Sequence, residues 1–213
     1  MRRLPVYLLL DTSGSMSGEP IEQVRNGVQM LVSGLRQDPY ALETAYLGVI
    51  TFDSSAKEVV PLTELTAFQP PAIQASGGTS LGDALSLLAN CAKRDVATTT
   101  ATQKGDWRPM VFIMTDGQPT DDWQKGLARF KQEKWGIVVG CAVDKADVSV
   151  LKQIAGEESV VKLDTSDAAS MRAFFKWVTA SVSTSSKSVE QAGKEVSGLS
   201  ELPPPPPEIK VVV

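Results

Sequence analysis

Short apolar runs alternate with amphipathic stretches along most of this 213-residue chain. Residues 6–10 form an apolar run of strand length, and the apolar residues of 21–35 recur every three or four positions, as on one face of a helix. Strands are also predicted at residues 44–52, 110–114, 137–143 and 160–163, and helices at 81–88, 123–130, 151–154 and 171–182. This alternation predicts an α/β fold with a mostly parallel, buried sheet.

One pair of strands is predicted to be antiparallel. The three-residue turn Asp53-Ser54-Ser55 separates residues 44–52 from a second run at 56–62, which favours a hairpin at the edge of the sheet. Ser80 and Asp83 match a capping box and predict the start of a helix. The polar insert at residues 96–107 is predicted to be a surface loop.

The composition excludes several classes of function. The chain has no histidine, which removes Ser-His-Asp and Cys-His catalysis as well as histidine-ligated zinc. Cys91 and Cys141 both lie in apolar runs and are expected to be reduced core thiols. With 21 basic and 25 acidic residues, a net charge of −4 disfavours nucleic acid and anionic membranes. No apolar run approaches the ~20 residues of a membrane span and no signal peptide is evident, so we expect a cytoplasmic protein.

The composition changes towards the end of the chain. Residues 183–200 are rich in Ser, Glu, Lys and Gln, and residues 203–207 are an unbroken proline run, which predicts polyproline II. We therefore expect one domain over residues 1–185 and a tail over 186–213 that is stiff, exposed and dispensable for folding. A docking segment for another protein is the alternative interpretation of the tail.

Three polar segments carry the candidate chemistry. Residues 11–16 and 114–121 follow predicted strands, and residues 77–80 precede a predicted helix. Ligands of open α/β sheets bind beyond the carboxyl ends of the strands, so Asp11 and Asp116 meet if their strands are neighbours. Carboxylates and hydroxyls are hard oxygen ligands, which suit Mg²⁺, Mn²⁺ or Ca²⁺ and not zinc or copper.

The segments LLLDTSGSM, GGTSLGDAL and VFIMTDGQPTD resemble the von Willebrand factor A domain and its metal-ion-dependent adhesion site, across residues 4–185. A lone D-x-S-x-S is a weak signal, whereas all three segments in this order and spacing are specific. The resemblance implies a Rossmann-like, doubly wound sheet of strand order 3-2-1-4-5-6 with one antiparallel edge strand and helices on both faces. Within the family the chain is most similar to the bacterial tellurium-resistance TerY-like proteins, which are small and cytoplasmic.

The same resemblance implies a set of metal ligands. Ser13 and Ser15 would bind the ion directly, Thr79 would be the third loop ligand, and Asp11 and Asp116 would bind directly or through water. Mg²⁺ or Mn²⁺ is expected, and Ca²⁺ less so. Neutral hydroxyl ligands leave the ion electrophilic, so an Asp or Glu of a partner protein can displace a water ligand. Other proteins of a tellurium-resistance cluster are candidate partners.

Two alternatives remain open. One is a Mg²⁺-dependent phosphohydrolase or phosphotransferase, and the other is a scaffold whose metal is purely structural. Against the enzyme, the chain has no Walker motif, and Ser13 stands where an aspartyl-nucleophile phosphatase has its second Asp. No Lys or Arg lies within the three segments to hold a phosphate. We therefore expect an interaction module and not an enzyme.

Overall fold

The computed structural model describes residues 2–212. Its strands are β1 (Leu4–Asp11), β2 (Ala45–Phe52), β3 (Ala56–Glu64), β4 (Met110–Thr115), β5 (Ile137–Val143), β6 (Val160–Leu163) and β7 (Lys210–Val211). Its helices are α1 (Glu19–Arg36), α2 (Pro39–Thr44), α3 (Leu81–Asp95), α4 (Trp123–Phe130), α5 (Val148–Ala155) and α6 (Ala168–Lys187). Short 3₁₀-helical turns lie at Gly14–Met16 and Leu199–Glu201, and a π-helical turn lies at Ser188–Ala192. The predicted elements are all present, and α2 is the helix that sequence patterning missed.

The strands form one sheet in the order β3-β2-β1-β4-β5-β6-β7. Strands β2, β1, β4, β5 and β6 are parallel, and β3 runs antiparallel to β2 as the hairpin predicted. The predicted fold class and the order 3-2-1-4-5-6 are therefore confirmed. A second antiparallel edge was not predicted: β7 pairs with β6 on the far side of the sheet.

Helices cover both faces of the sheet because the side chains of each strand alternate between two cores. On β1, Val6 and Leu8 pack in the core that includes α1 and α6, whereas Tyr7 and Leu9 pack in the core that includes α3, α4 and α5. Helices α1 and α6 approach closely at Gly27, because glycine has no side chain to keep them apart. A Cβ atom at this position would lie only 2.0 Å from the Phe175 ring. Because the helices cover the two faces of the sheet, the loops at the ends of the strands are the parts that can form a binding site.

The C-terminal segment differs from the exposed tail that the sequence predicted. Its apolar side chains Val189, Val196, Leu202 and Ile209 are all buried in the core on the α1–α6 face. The indole of Trp177 on α6 donates a hydrogen bond of 2.8 Å to the carbonyl of Pro203, which holds the start of the proline run. Helix α6 also continues to Lys187, past the expected boundary at residue 185. Sparse but well-placed apolar residues therefore bring the segment onto the domain.

Three smaller expectations concern individual segments. Cys91 and Cys141 are buried and unpaired, as predicted. The insert is an irregular loop whose residues 98–104 are exposed, and its ends are joined by a hydrogen bond of 2.8 Å from the Asp106 amide to the Ala97 carbonyl. Within residues 2–212, no helix combines the length and the apolar character needed to cross a membrane.

Candidate functional site

The first and third polar segments meet at the carboxyl edge of the sheet. Strands β1 and β4 are parallel neighbours with Leu10 opposite Met114, so Asp11 at the end of β1 and Asp116 just after β4 extend over the same edge. This is the position at which doubly wound sheets bind ligands. The condition set by the sequence, that the two strands be adjacent, is met.

Asp11 is the buried base of the site, with 1% of its surface exposed. One carboxylate oxygen accepts a hydrogen bond of 2.8 Å from the Ser13 amide, and the other accepts one of 2.5 Å from the Thr115 hydroxyl. These two bonds fix the orientation of the carboxylate. Thr115 was not among the predicted site residues, although it lies in the polar segment that follows β4.

Ser13, Ser15 and Asp116 form a continuous chain of polar side chains. The Ser13 and Ser15 hydroxyl oxygens lie 2.9 Å apart, and the Ser15 hydroxyl donates a hydrogen bond of 2.8 Å to Asp116. Ser13 is buried, whereas Ser15 is exposed. This series of hydrogen-bonded side chains therefore leads from the buried base of the site to the solvent.

Thr79 approaches the same edge from the loop before α3. A Cβ atom built on Gly117 would lie 3.4 Å from the Thr79 hydroxyl, which places that hydroxyl beside the residue that follows Asp116. In the described part of the chain, no hydrogen bond joins the Thr79 hydroxyl to Ser13, Ser15 or either carboxylate. Hydrogen bonds thus connect Asp11 to Ser13, Ser13 to Ser15 and Ser15 to Asp116. Thr79 lies beside these four residues.

Backbone hydrogen bonds fasten the loop of residues 12–14 to the loop before α3. The Gly14 amide donates to the Gly77 carbonyl over 3.0 Å, and the Ser76 amide donates to the Thr12 carbonyl over 2.8 Å. Gly77 has a φ of +70°, a left-handed conformation that favours glycine. These backbone contacts hold the two loops together.

Thr120 connects the loop after β4 to Thr79. Its hydroxyl accepts a hydrogen bond of 3.0 Å from the Thr79 amide, and its own amide donates one of 2.9 Å to the Thr79 carbonyl. This paired contact sets the position of Thr79 relative to Asp116. Thr120 lies within the third polar segment, but it was not among the predicted site residues.

Asp121 caps the start of α3, a role that the sequence had predicted for Ser80. Ser80 is the N-cap residue of α3, but its side chain makes no capping hydrogen bond, so the predicted capping box is wrong in this respect. The Asp121 carboxylate instead accepts hydrogen bonds from the amides of Gly82 (3.1 Å) and Asp83 (2.9 Å). An acid from a distant loop therefore satisfies the free amides at the helix start.

Burial raises the pKa of both site carboxylates. For Asp11 the loss of water is the main cause, the hydrogen bonds from Ser13 and Thr115 oppose it, and the nearby charge of Asp116 adds to it. For Asp116 burial is again the main cause, the Ser15 hydrogen bond opposes it, and the charge of Asp144 adds to it. A positive charge close by would therefore favour the ionised form of both groups.

The donor set fits a hard divalent cation. No Lys or Arg within residues 2–212 forms an ion pair with Asp11 or Asp116. The same residues contain no cluster of three or more His, Cys, Asp and Glu side chains arranged for a metal. Two carboxylates with three hydroxyls form a different set, composed of oxygen alone, which suits Mg²⁺ and Mn²⁺.

Comparisons with known proteins identify several that are similar to this chain. The chain is 33% identical over 124 residues to the uncharacterized protein sll0103 of Synechocystis sp., which covers 55% of this chain and 26% of that protein. Proximal thread matrix protein 1 of the mussel byssus, whose structure has a zinc-occupied MIDAS motif, is 20% identical with a TM-score of 0.56, covering 84% of this chain and 46% of that one. The pilus adhesin SpaC of Lactobacillus rhamnosus GG is 15% identical with a TM-score of 0.69, covering 86% and 31%.

The chain matches only part of each similar protein, and a family model matches most of the chain. The chain spans about a quarter of the length of its Synechocystis relative and less than half of both solved structures. The solved structures share the fold at low identity. The family model for the von Willebrand factor type A domain matches residues 6–176, which is most of the chain. The chain therefore belongs to the von Willebrand factor type A domain family.

Proposed function

We propose that this domain binds a partner protein through a divalent cation, Mg²⁺ or Mn²⁺, held by Asp11, Ser13, Ser15, Thr79 and Asp116. The observation that carries the proposal is the polar chain from Ser13 through Ser15 to Asp116, beside a buried Asp11 that has no basic partner in the described chain. Domains of this family are generally interaction modules and not enzymes. Two relatives support the comparison, one with a zinc-occupied MIDAS motif and one a pilus adhesin.

The residues of the site divide the work of binding. The hydroxyls of Ser13 and Ser15 would hold the cation directly, with Thr79 as the third hydroxyl and Asp11 and Asp116 acting directly or through water. A bound cation supplies an electrophilic coordination position that a carboxylate of a partner can take. Thr115 and the Ser13 amide keep the Asp11 carboxylate oriented, so this ligand is in place before binding.

An Asp or Glu of another protein is the partner group that fits the site. Ser15 is exposed and Asp116 is half-buried, so an incoming side chain can reach this part of the site from solvent. Without a cation, Asp11 and Asp116 repel a carboxylate, at a cost on the order of 1 to several kcal/mol at ~4–6 Å. Partner binding should therefore depend on the metal.

Isothermal titration with Mn²⁺ and Mg²⁺ tests the metal site. We expect one ion per chain, no binding by Asp11→Ala, and weaker binding by Ser15→Ala and Thr79→Ala. Ser17→Ala is the matched control, because Ser17 is an exposed serine two residues further along the same loop. Unchanged affinity in Ser15→Ala, or an equal loss in Ser17→Ala, would contradict the ligand assignment.

Capture of partners from the native host, in Mg²⁺ and then in EDTA, tests the function. A captured partner should bind orders of magnitude more weakly in EDTA, and changing one of its Asp or Glu residues to the amide should weaken binding nearly as much as alanine. Equal affinities in both buffers would favour a purely structural metal. Metal-dependent phosphatase activity that is lost in Asp11→Ala would favour the enzyme.

We also propose that the protein acts in the cytoplasm of a bacterium as part of a tellurium-resistance and stress-response system. The support is the resemblance of the three motif segments to the TerY-like proteins. Deleting the gene in the native host should raise sensitivity to tellurite, and the wild-type gene should restore resistance. A gene encoding Asp11→Ala should fail to restore it if the metal site carries the role.

A further inference from the structure

We propose that a cleft at the opposite end of the sheet binds an acidic segment of a partner protein. This basal cleft, a cavity of about 450 Å³, lies between the end of α3, the approach to β4 and the segment after α4, and its lining includes Lys93, Val96, Trp107, Arg108, Pro109 and Lys134. Strand β4 separates it from Asp116, a distance of roughly 20 Å for six extended residues. The cleft is therefore independent of the candidate metal site.

The basal cleft carries uncompensated positive charge. Lys93 and Lys134 are exposed and have no ion-pair partner among residues 2–212. The two acids that line the cleft are already neutralised by arginines that do not line it. Arg3 pairs with Asp106 at 2.5 Å, and Arg129 pairs with Glu133 at 2.7 Å. A chain with a net charge of −4 thus presents a locally basic surface here.

A carboxylate from the protein's own C-terminal segment already binds the rim of the cleft. Glu195 accepts a hydrogen bond of 2.8 Å from the Arg108 amide, and its other oxygen lies 3.2 Å from the Arg108 guanidinium. The rim therefore provides both a backbone donor and a side-chain charge for a carboxylate. The ammonium groups of Lys93 and Lys134 provide positive charges that pair with further carboxylates of a bound segment.

The wall of the cleft is apolar and held in place. The Arg2 guanidinium lies 3.5 Å from the centre of the Trp107 ring, and the Trp107 amide donates a hydrogen bond of 2.9 Å to the Arg3 carbonyl. Val96 and Pro109 add apolar surface to the lining of the cleft. A peptide with apolar side chains between acidic ones matches this arrangement.

An acidic peptide fits the cleft better than a nucleic acid does. Nucleic-acid binding relies on neutralising many phosphates along a basic surface. The cleft offers two unpaired lysines, and the acidic chain as a whole repels a polyanion. A short segment with a few carboxylates needs only the local charge.

Titration by ¹H–¹⁵N NMR in EDTA tests the proposal without the metal site. The protein is labelled with ¹⁵N, the probe is an unlabelled octapeptide of three glutamates, two leucines and three glutamates, and the reference is the same peptide with glutamine in place of glutamate. We expect the acidic peptide to shift the Trp107 indole signal and the amide signals of Lys93 and Val96, and to leave Gly117 unshifted. The glutamine peptide should bind at least about tenfold more weakly, since several exposed charge pairs together are worth ~1.4 kcal/mol or more.

Charge reversal provides the matched comparison. Lys93→Glu/Lys134→Glu should weaken peptide binding at least about tenfold, whereas Lys176→Glu/Lys187→Glu, an equal change at exposed positions of α6, should not. Glu195→Gln should strengthen binding roughly two- to threefold, because it weakens the internal competitor for Arg108.

Three outcomes would overturn the proposal. They are an absence of shifts at millimolar peptide, shifts that map outside the cleft, and equal losses in the two double variants. Tighter binding of a single-stranded oligonucleotide than of the peptide, lost in Lys93→Glu/Lys134→Glu, would assign the cleft to nucleic acid instead. Failure here leaves the metal-dependent function untouched, since all titrations contain EDTA.

Discussion

The carboxylate of Asp121 joins the stability of α3 to the geometry of the candidate metal site. It accepts hydrogen bonds from the first amides of α3, at Gly82 and Asp83, and Gly82 is buried. Asp121→Ala leaves the Gly82 amide without its partner and removes a negative charge from a helix N-terminus. Losing a cap costs ~1 kcal/mol, and leaving a buried donor unpaired costs about 1–3 kcal/mol. Both figures describe the loss of the same hydrogen bonds, so we expect about 2 kcal/mol.

Thermal unfolding and metal titration give two separate readouts of this change. A loss of about 2 kcal/mol should lower the Tm by about 4–8 °C in a chain of this size. Because Asp121 follows Thr120, which positions Thr79, the affinity for Mn²⁺ should fall about tenfold as well. Asp121→Asn keeps one acceptor oxygen and should show an intermediate loss of stability.

Asp38→Ala is the matched control for this experiment. Asp38 caps α2 in the same manner, accepting from the amides of Tyr40 (2.9 Å) and Ala41 (3.2 Å), but it precedes β2 at the other end of the sheet. It should lower the Tm and leave the metal affinity unchanged. Unchanged Mn²⁺ affinity in Asp121→Ala, or an equal loss in Asp38→Ala, would refute the reasoning.

Three further changes probe other parts of the structure. Ser185 carries a buried hydroxyl with no hydrogen-bond partner among the described residues, so Ser185→Ala should raise the unfolding free energy in urea by about 1 kcal/mol. Ile209 is buried, and Ile209→Ala should cost about 2–4 kcal/mol; no loss would mean that the C-terminal segment is not packed. Burial raises the pKa of Asp11, so the folded, metal-free protein binds protons more tightly than the unfolded chain and loses stability as the pH rises above ~4. Asp11→Asn in EDTA should flatten that slope and raise stability at pH 7, and an unchanged slope would contradict the assigned cause.

The parts of the fold that sequence patterning predicted are those with strong local periodicity. The apolar runs of β5 and β6 were predicted with the bounds that the structure has, Ile137–Val143 and Val160–Leu163. The carboxyl edge of the sheet was predicted because Asp11 ends one buried strand and Asp116 directly follows another. Position along a strand is local information, so a single sequence contains it.

The parts that were missed depend on contacts between distant residues. The cap on α3 comes from Asp121, 38 residues from Asp83, whereas the capping-box pattern considers only neighbouring residues. Around Leu202 and Ile209 the C-terminal segment has few apolar residues and no helical or strand period, so these two residues gave no local sign of burial. Their burial follows from the surface that α6 and the sheet present to them, which only the assembled fold defines.

The two outer strands of the sheet have a consequence for self-association. An open sheet edge is a template for pairing with another molecule, and charges, prolines and irregular register oppose such pairing. Strand β3 carries exposed Lys57 and Pro61, and its register with β2 shifts twice. At the other edge Lys210 of β7 lies opposite Lys162 of β6, and Lys210 pairs with Asp164. Both edges thus carry features that oppose strand-to-strand aggregation, and the loops at the two ends of the strands stay accessible to other partners.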